Sequence, residues 1–189
     1  MQKVFSIVTT IIVFVSFAAA VRQQTPPKVP INQLLDDWIA STEKQLMTAA
    51  GAMPEEKYSF APTSGEFTGV RTFAEQIKHL AANNYRMAAL MMNQQPTPDQ
   101  ESERGPDSVQ SKSQIIEYLQ GSFASLHKSV ATITSQNVDE PLAIMAKRPP
   151  SHQTRVQLVI DVIAHDYDHY GQMVEYLRMN GIIPPASRK

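Results

Sequence analysis

The chain reads as an all-α domain, a four-helix bundle with a long crossover connection. Three observations predict this. Four separate segments carry apolar residues recurring at three and four, no segment alternates with period two, and proline-bearing stretches divide the segments from one another. The last segment adds a chemical feature: His165 and His169 stand one turn apart at positions where the helical pattern calls for core residues.

The first twenty residues stand apart from this pattern. Met1-Gln2-Lys3 carries the only early charge, an uncharged run from Val4 to Val21 follows, and Ala18-Ala19-Ala20 supplies small residues at a cleavage position. This is the layout of a secretory signal peptide cut after Ala20, which sends the protein to the periplasm or the exterior. The alternative is a membrane tether made by an uncleaved anchor, although Ser6, Thr9, Thr10 and Ser16 dilute the apolar run. Cleavage would leave no stable membrane span. Losing Lys3 takes Lys+Arg from 17 to 16 against 18 acids, a net charge near −2, so nothing basic points to nucleic acid or an anionic membrane surface. Cysteine is absent, which excludes disulfides and a thiol nucleophile.

Residues 21–30 form a polar linker with Pro26, Pro27 and Pro30, and the domain is expected over 31–187. Its first helix carries Ile31, Leu34, Leu35, Trp38, Ile39, Thr42 and Leu46 on one side and stops before Pro54, with Trp38 expected as a core anchor. A loop with Tyr58, Phe60 and Phe67 is expected to pack onto the body. The second helix, about Val70 to Asn93, has the stripe Phe73, Ile77, Leu80, Asn84, Met87 and Met91, with Thr72 and Glu75 as a capping box. His79 lies off that stripe, on a face with Thr72, Gln76, Asn83 and Leu90. After a long connection over Gln94–Asp107, the third helix shows a regular seam of Ile116, Leu119, Phe123, Leu126, Val130 and Ile133, capped by Ser111 and Gln114. The fourth opens at Thr154, capped with Gln157, and ends at Asn180-Gly181 before Pro184-Pro185.

This fourth helix is apolar on two faces. One face holds Val156, Ile160, Ile163, Tyr167, Tyr170, Val174 and Leu177; the other holds Leu158, Val162, His165, His169, Met173 and Tyr176. Such a helix belongs inside the bundle, so the two imidazoles point into protein. Two buried neighbouring imidazoles are unfavourable alone, and a divalent cation binding both in neutral form removes the difficulty. Asp161, Asp168 and Gln172 lie alongside and could hold the outer ring N–H groups, or an aspartate could itself ligate. A third ligand must come from elsewhere, and spacing leaves His79, His127, His152 and several carboxylates open. A zincin would need glutamate where Asp166 stands, and a di-metal bundle would need Glu-x-x-His pairs, which the chain lacks. The physical reading is a mononuclear site with an open position.

Phe73-Ala74-Glu75-Gln76-Ile77-Lys78-His79-Leu80, His165-Asp166-Tyr167-Asp168-His169-Tyr170-Gly171-Gln172 and the tail Tyr176 to Pro185 together resemble the DinB/YfiT-like superfamily, over roughly Ile31 to Ser187. The resemblance implies a four-helix bundle with a long crossover and a three-histidine metal site of His79, His165 and His169. Characterised relatives include thiol-dependent transferases and isomerases that use a divalent metal. The expectation is therefore one divalent ion (zinc, nickel, iron or manganese) on those histidines, with Asp161, Asp168, Gln172 and Glu75 as candidate outer partners. Function would be that of a metal-dependent hydrolase or thiol/group transferase acting on a small-molecule substrate, with a homodimer as a compatible assembly. The alternative is a non-catalytic metal-binding or metal-stabilised helical module of the cell envelope.

Overall fold

Short-range signals set the helix starts. Thr72, Ser111 and Thr154 each accept from the backbone N–H three residues on, and Glu75, Gln114 and Gln157 accept from the cap's own N–H, so all three expected capping boxes form. The computed structural model describes residues 27–66 and 69–188. The expected signal segment, the first part of the linker and Phe67 lie outside the described residues.

The helices are α1 (Ile31–Ala52), α2 (Phe73–Met91), α3 (Lys112–Val130) and α4 (Arg155–Met179). Among the described residues there is no strand, only an isolated bridge between Pro141 and Thr154. No described helix is long and apolar enough to cross a membrane.

Each helix packs on two others, in the order α1–α3–α2–α4 around the bundle. Side-chain contacts give the directions. Gln45 Nε2 donates to the Tyr167 hydroxyl at 3.2 Å and Lys57 Nζ to the Asn180 carbonyl at 3.2 Å, so α1 and α4 run the same way. Lys112 Nζ donates to the Met53 carbonyl at 2.7 Å while His127 meets Asp36 at 2.5 Å, which sets α3 antiparallel to α1. Gln76 pairs with Gln172 and Asn83 with His165, so α2 opposes α4. Consecutive helices α2 and α3 are therefore parallel. The chain between them must return along the bundle, and residues 92–111 are the expected long crossover.

Gly105 fixes where that crossover lies. Its φ of +69° suits glycine, and a Cβ there would sit 2.6 Å from the Lys78 Cβ, so the strap passes hard against α2 beside His79. The aromatic loop after α1 packs as expected through Tyr58, whose hydroxyl donates to the Ala50 carbonyl at 2.8 Å and whose ring meets Phe73 edge-on. Phe60 packs edge-on against Tyr176.

The core follows the expected stripes with three departures. On α4 the face of Leu158, Val162, His169, Met173 and Tyr176 is buried. Of the other expected face only Leu177 is, and Ile160 is 58% exposed, so this helix buries one of its two apolar faces fully. On α3 the buried isoleucine is Ile115, and Ile116 is only half-buried. Trp38 is not a core anchor: it is 60% exposed. The inward face of α1 is Ile39, Thr42, Leu46, Ala49 and Ala50. The sequence stripe is wider than the groove between α3 and α4, and its outer edge, Leu34 and Trp38, is left towards solvent.

Candidate metal centre

The face of α2 beside the core stripe supplies the site. Gln76, Asn83 and Leu90 are buried there, with His79 among them, because this face meets α4 rather than α3. Opposite them stand His165 and His169, one turn apart on α4. The sequence-singled histidines meet tip to tip: His165 Nε2 lies 3.1 Å from His79 Nε2 and 3.2 Å from His169 Nε2. One ligand atom from each of the three falls within 4.8 Å of the others. His127 is elsewhere, between Asp36 and Glu43, and His152 faces Asp161.

This donor set fits a metal ion. Bonds of 2.0–2.1 Å at tetrahedral angles place two nitrogens about 3.3 Å apart, and right-angled coordination brings them to about 2.9 Å. The observed spacings fall between. Protons cannot satisfy the cluster equally well, because each neutral ring nitrogen offers either one N–H or one lone pair, and His165 Nε2, which makes both contacts, can form only one full hydrogen bond. Electrostatics point the same way. Burial and then the neighbouring His169 and His79 push the His165 pKa down to about 3. Burial and then His79 push His169 down to about 4, and burial with nearby Arg71 lowers His79. All three rings are neutral at pH 7, the form that ligates.

The triad sits on the wall of an open cavity of about 550 Å³ lined by His79 and His165. His169 is 5% exposed and lies behind them. The other walls come from the crossover (Glu103) and from the connection before α4 (Met145, Arg148, Pro149, His152), with Asp161 from α4 itself. On one wall His152 Nδ1 and Asp161 Oδ2 are 2.5 Å apart.

The family model for the DinB superfamily matches residues 39–173, which is more than half of the chain. The chain belongs to the DinB superfamily. A search of curated proteins finds no match. Among solved structures, the crystal structure of a conserved protein from Enterococcus faecalis is similar, with a TM-score of 0.63 at 14% identity, covering 80% of this chain and 98% of that one. At that identity the likeness speaks for the fold alone.

The outer polar residues of this DinB-superfamily site are arranged differently from the sequence expectation. Asp161 holds His152, Asp168 accepts from Gln172 at 2.9 Å, and Gln172 accepts from Gln76 at 2.7 Å. Glu75 closes the α2 cap and pairs with Arg104. The groups that do approach the rings are Asn83, whose amide nitrogen is 3.2 Å from His165 Nδ1, and Glu103, whose carboxylate is 3.6 Å from His79 Nδ1 and held by Arg71 at 2.6 Å. Asn83 also accepts from Arg86 at 2.6 Å. If His165 gave its Nε2 lone pair to a cation, its Nδ1 would carry the ring proton and the Asn83 oxygen would have to turn towards it. Asn83 shares a face with His79 in the sequence, a signal that could have found it. Glu103 had no such signal, since only the path of the crossover brings it there.

Asp166, one residue from a triad histidine, is 1% exposed. Burial raises its pKa well above 3.8, opposed only by a 3.4 Å bond from Asn84. The folded acid holds a proton that the unfolded one releases above pH 4, so its cost grows as pH rises. Asp166→Asn keeps the shape and removes that cost. It should stabilise the protein by about 1–3 kcal/mol at pH 7 in urea denaturation, with the gain shrinking towards pH 4. A loss of stability at pH 7 would mean that the carboxylate is ionised and paired.

Proposed function

We propose that this DinB-superfamily protein is an exported metal-dependent enzyme of the hydrolase or thiol/group-transferase type. The observation that carries the reading is the convergence of three neutral Nε2 atoms, two of them on rings that line an open cavity also holding the His152–Asp161 pair. His79, His165 and His169 would hold one divalent ion, and zinc, nickel, iron and manganese all accept imidazole. Such an ion supplies Lewis-acid chemistry to whatever occupies the cavity.

The protein's own residues do the rest. Asp161 accepts the Nδ1 proton of His152, which fixes the tautomer and leaves Nε2 as a proton acceptor. His152 is about half exposed, so a substrate in the cavity can reach it. Leu90, Met145 and Leu158 exclude water from part of the wall. Export rests on the basic start, apolar run and Ala18-Ala19-Ala20 of the first twenty residues. The amino-terminal sequence of the protein recovered from the envelope fraction tests it.

Activity is tested on panels of esters, amides and thiol–electrophile pairs, with zinc, nickel, iron or manganese added. The reading expects turnover that a chelator removes and the metal restores. His152→Gln should lower kcat by about 100-fold or more while metal content stays unchanged. Turnover indifferent to chelator contradicts the reading. Metal held by four protein ligands with no turnover on any panel supports the non-catalytic envelope module instead.

A further inference from the structure

The charges around the cavity are equal in number but not paired with one another. Four formally charged side chains line it: Arg86, Arg148, Glu103 and Asp161. Both acids are already engaged, Glu103 by Arg71 at 2.6 Å and Asp161 by His152 at 2.5 Å. Neither arginine has a carboxylate partner among the described residues. Arg86 is half-buried, and its side-chain bond goes to the neutral amide of Asn83. Arg148 reaches the cavity from the connection before α4, so the two guanidiniums belong to different walls. A half-buried guanidinium without a counter-charge is costly, and a ligand anion is the means of offsetting it. The remaining wall is apolar: Leu90, Met145 and Leu158 are 8%, 5% and 1% exposed, with Met87 beside them. At about 550 Å³ the space suits a small organic molecule. The chain's net charge of −1 does not favour a polyanion.

We propose that this cavity takes a small organic oxyanion, its carboxylate or phosphate head held by Arg86 and Arg148 and its apolar body laid against Met87, Leu90, Met145 and Leu158. The inference deepens the proposed function by naming the substrate class, and it rests on the cavity being the substrate site. Guanidinium groups offer paired N–H donors that match both heads, so the head is an oxyanion and the two sources differ only in charge and shape.

Calorimetric titration of the purified protein with hexanoate, hexyl phosphate and neutral hexanamide, before and after chelator treatment, tests it. An anion should bind at least about tenfold more tightly than hexanamide, and the tighter of the two heads identifies the substrate's. Arg148→Gln and Arg86→Gln should each weaken anion binding by about tenfold or more and leave hexanamide unchanged. Arg148 is exposed on a connection, so its variant should melt like the parent. The preference should survive chelation. Hexanamide binding as tightly as hexanoate, or Arg148→Gln binding the anion like the parent, overturns the proposal. Anion binding that chelator abolishes and both arginine changes leave intact also overturns it, while sparing the metal reading. Arginine-dependent binding to a protein that never takes up metal supports the subsite and defeats the metal reading.

Discussion

Replacing His169 by alanine is expected to yield a folded protein that no longer retains a divalent ion. His169 lies behind the cavity wall, 5% exposed, and its Nε2 is 3.2 Å from that of His165. Loss of an outer-shell partner typically weakens metal affinity by 10- to 100-fold, and loss of a ligand should exceed that. The expected effect is a fall of more than about a hundredfold in affinity, read by competition against a chromogenic chelator. Substituting His127 makes the control, because its ring is held by Asp36 and Glu43 and takes no part in the triad. Equal metal retention in the His169→Ala and His127→Ala variants would remove the triad assignment.

The second large effect is on stability. A ligand that binds only the folded state adds about 4 kcal/mol when free metal is a thousandfold above Kd. For a domain of this size that is roughly 8–16 °C in Tm, read by thermal unfolding with metal and with chelator. The pH dependence has a definite sign. In the metal-free protein the unfolded chain takes up protons near pH 6.5, whereas burial holds His169 at about 4 and His165 at about 3 in the fold. Stability is therefore present above about pH 6.5 and lost as pH falls through the window below it, by up to about 1.4 kcal/mol per pH unit for each ring. Protons compete with the metal in the same direction, so the metal-dependent rise in Tm should also shrink on acidification. A metal-free protein equally stable at pH 5 and pH 7 after allowance for Asp166 would show that the rings are solvated.

How much of this was legible in the sequence differs by distance along the chain. The capping boxes at Thr72, Ser111 and Thr154 depend on residues three apart, and all three formed as read. The stripe of α2 is likewise local. His165 and His169 could be paired from their spacing, but spacing left the third partner open, and the likeness to a known family named His79. The residues that escaped notice depend on interhelical register. Asn83 and Asn84 meet His165 and Asp166 only because α2 and α4 are antiparallel in this register. Glu103 reaches His79 because the crossover is pressed onto Lys78 at Gly105. Spacing left His152 open as a ligand, yet the fold turns it towards Asp161 and the same cavity. Trp38 failed for a related reason, since periodicity shows an apolar face without showing how much of it the neighbours cover.

The central claim is a three-histidine centre with one side open to the cavity. X-ray absorption spectroscopy of the purified protein at its metal edge tests it most directly. The account predicts three imidazole nitrogens at about 2.0–2.1 Å, with the remaining coordination changing when a small anion or thiol is added. A closed shell of four or more protein ligands that no additive alters, or a metal bound without imidazole, would contradict it.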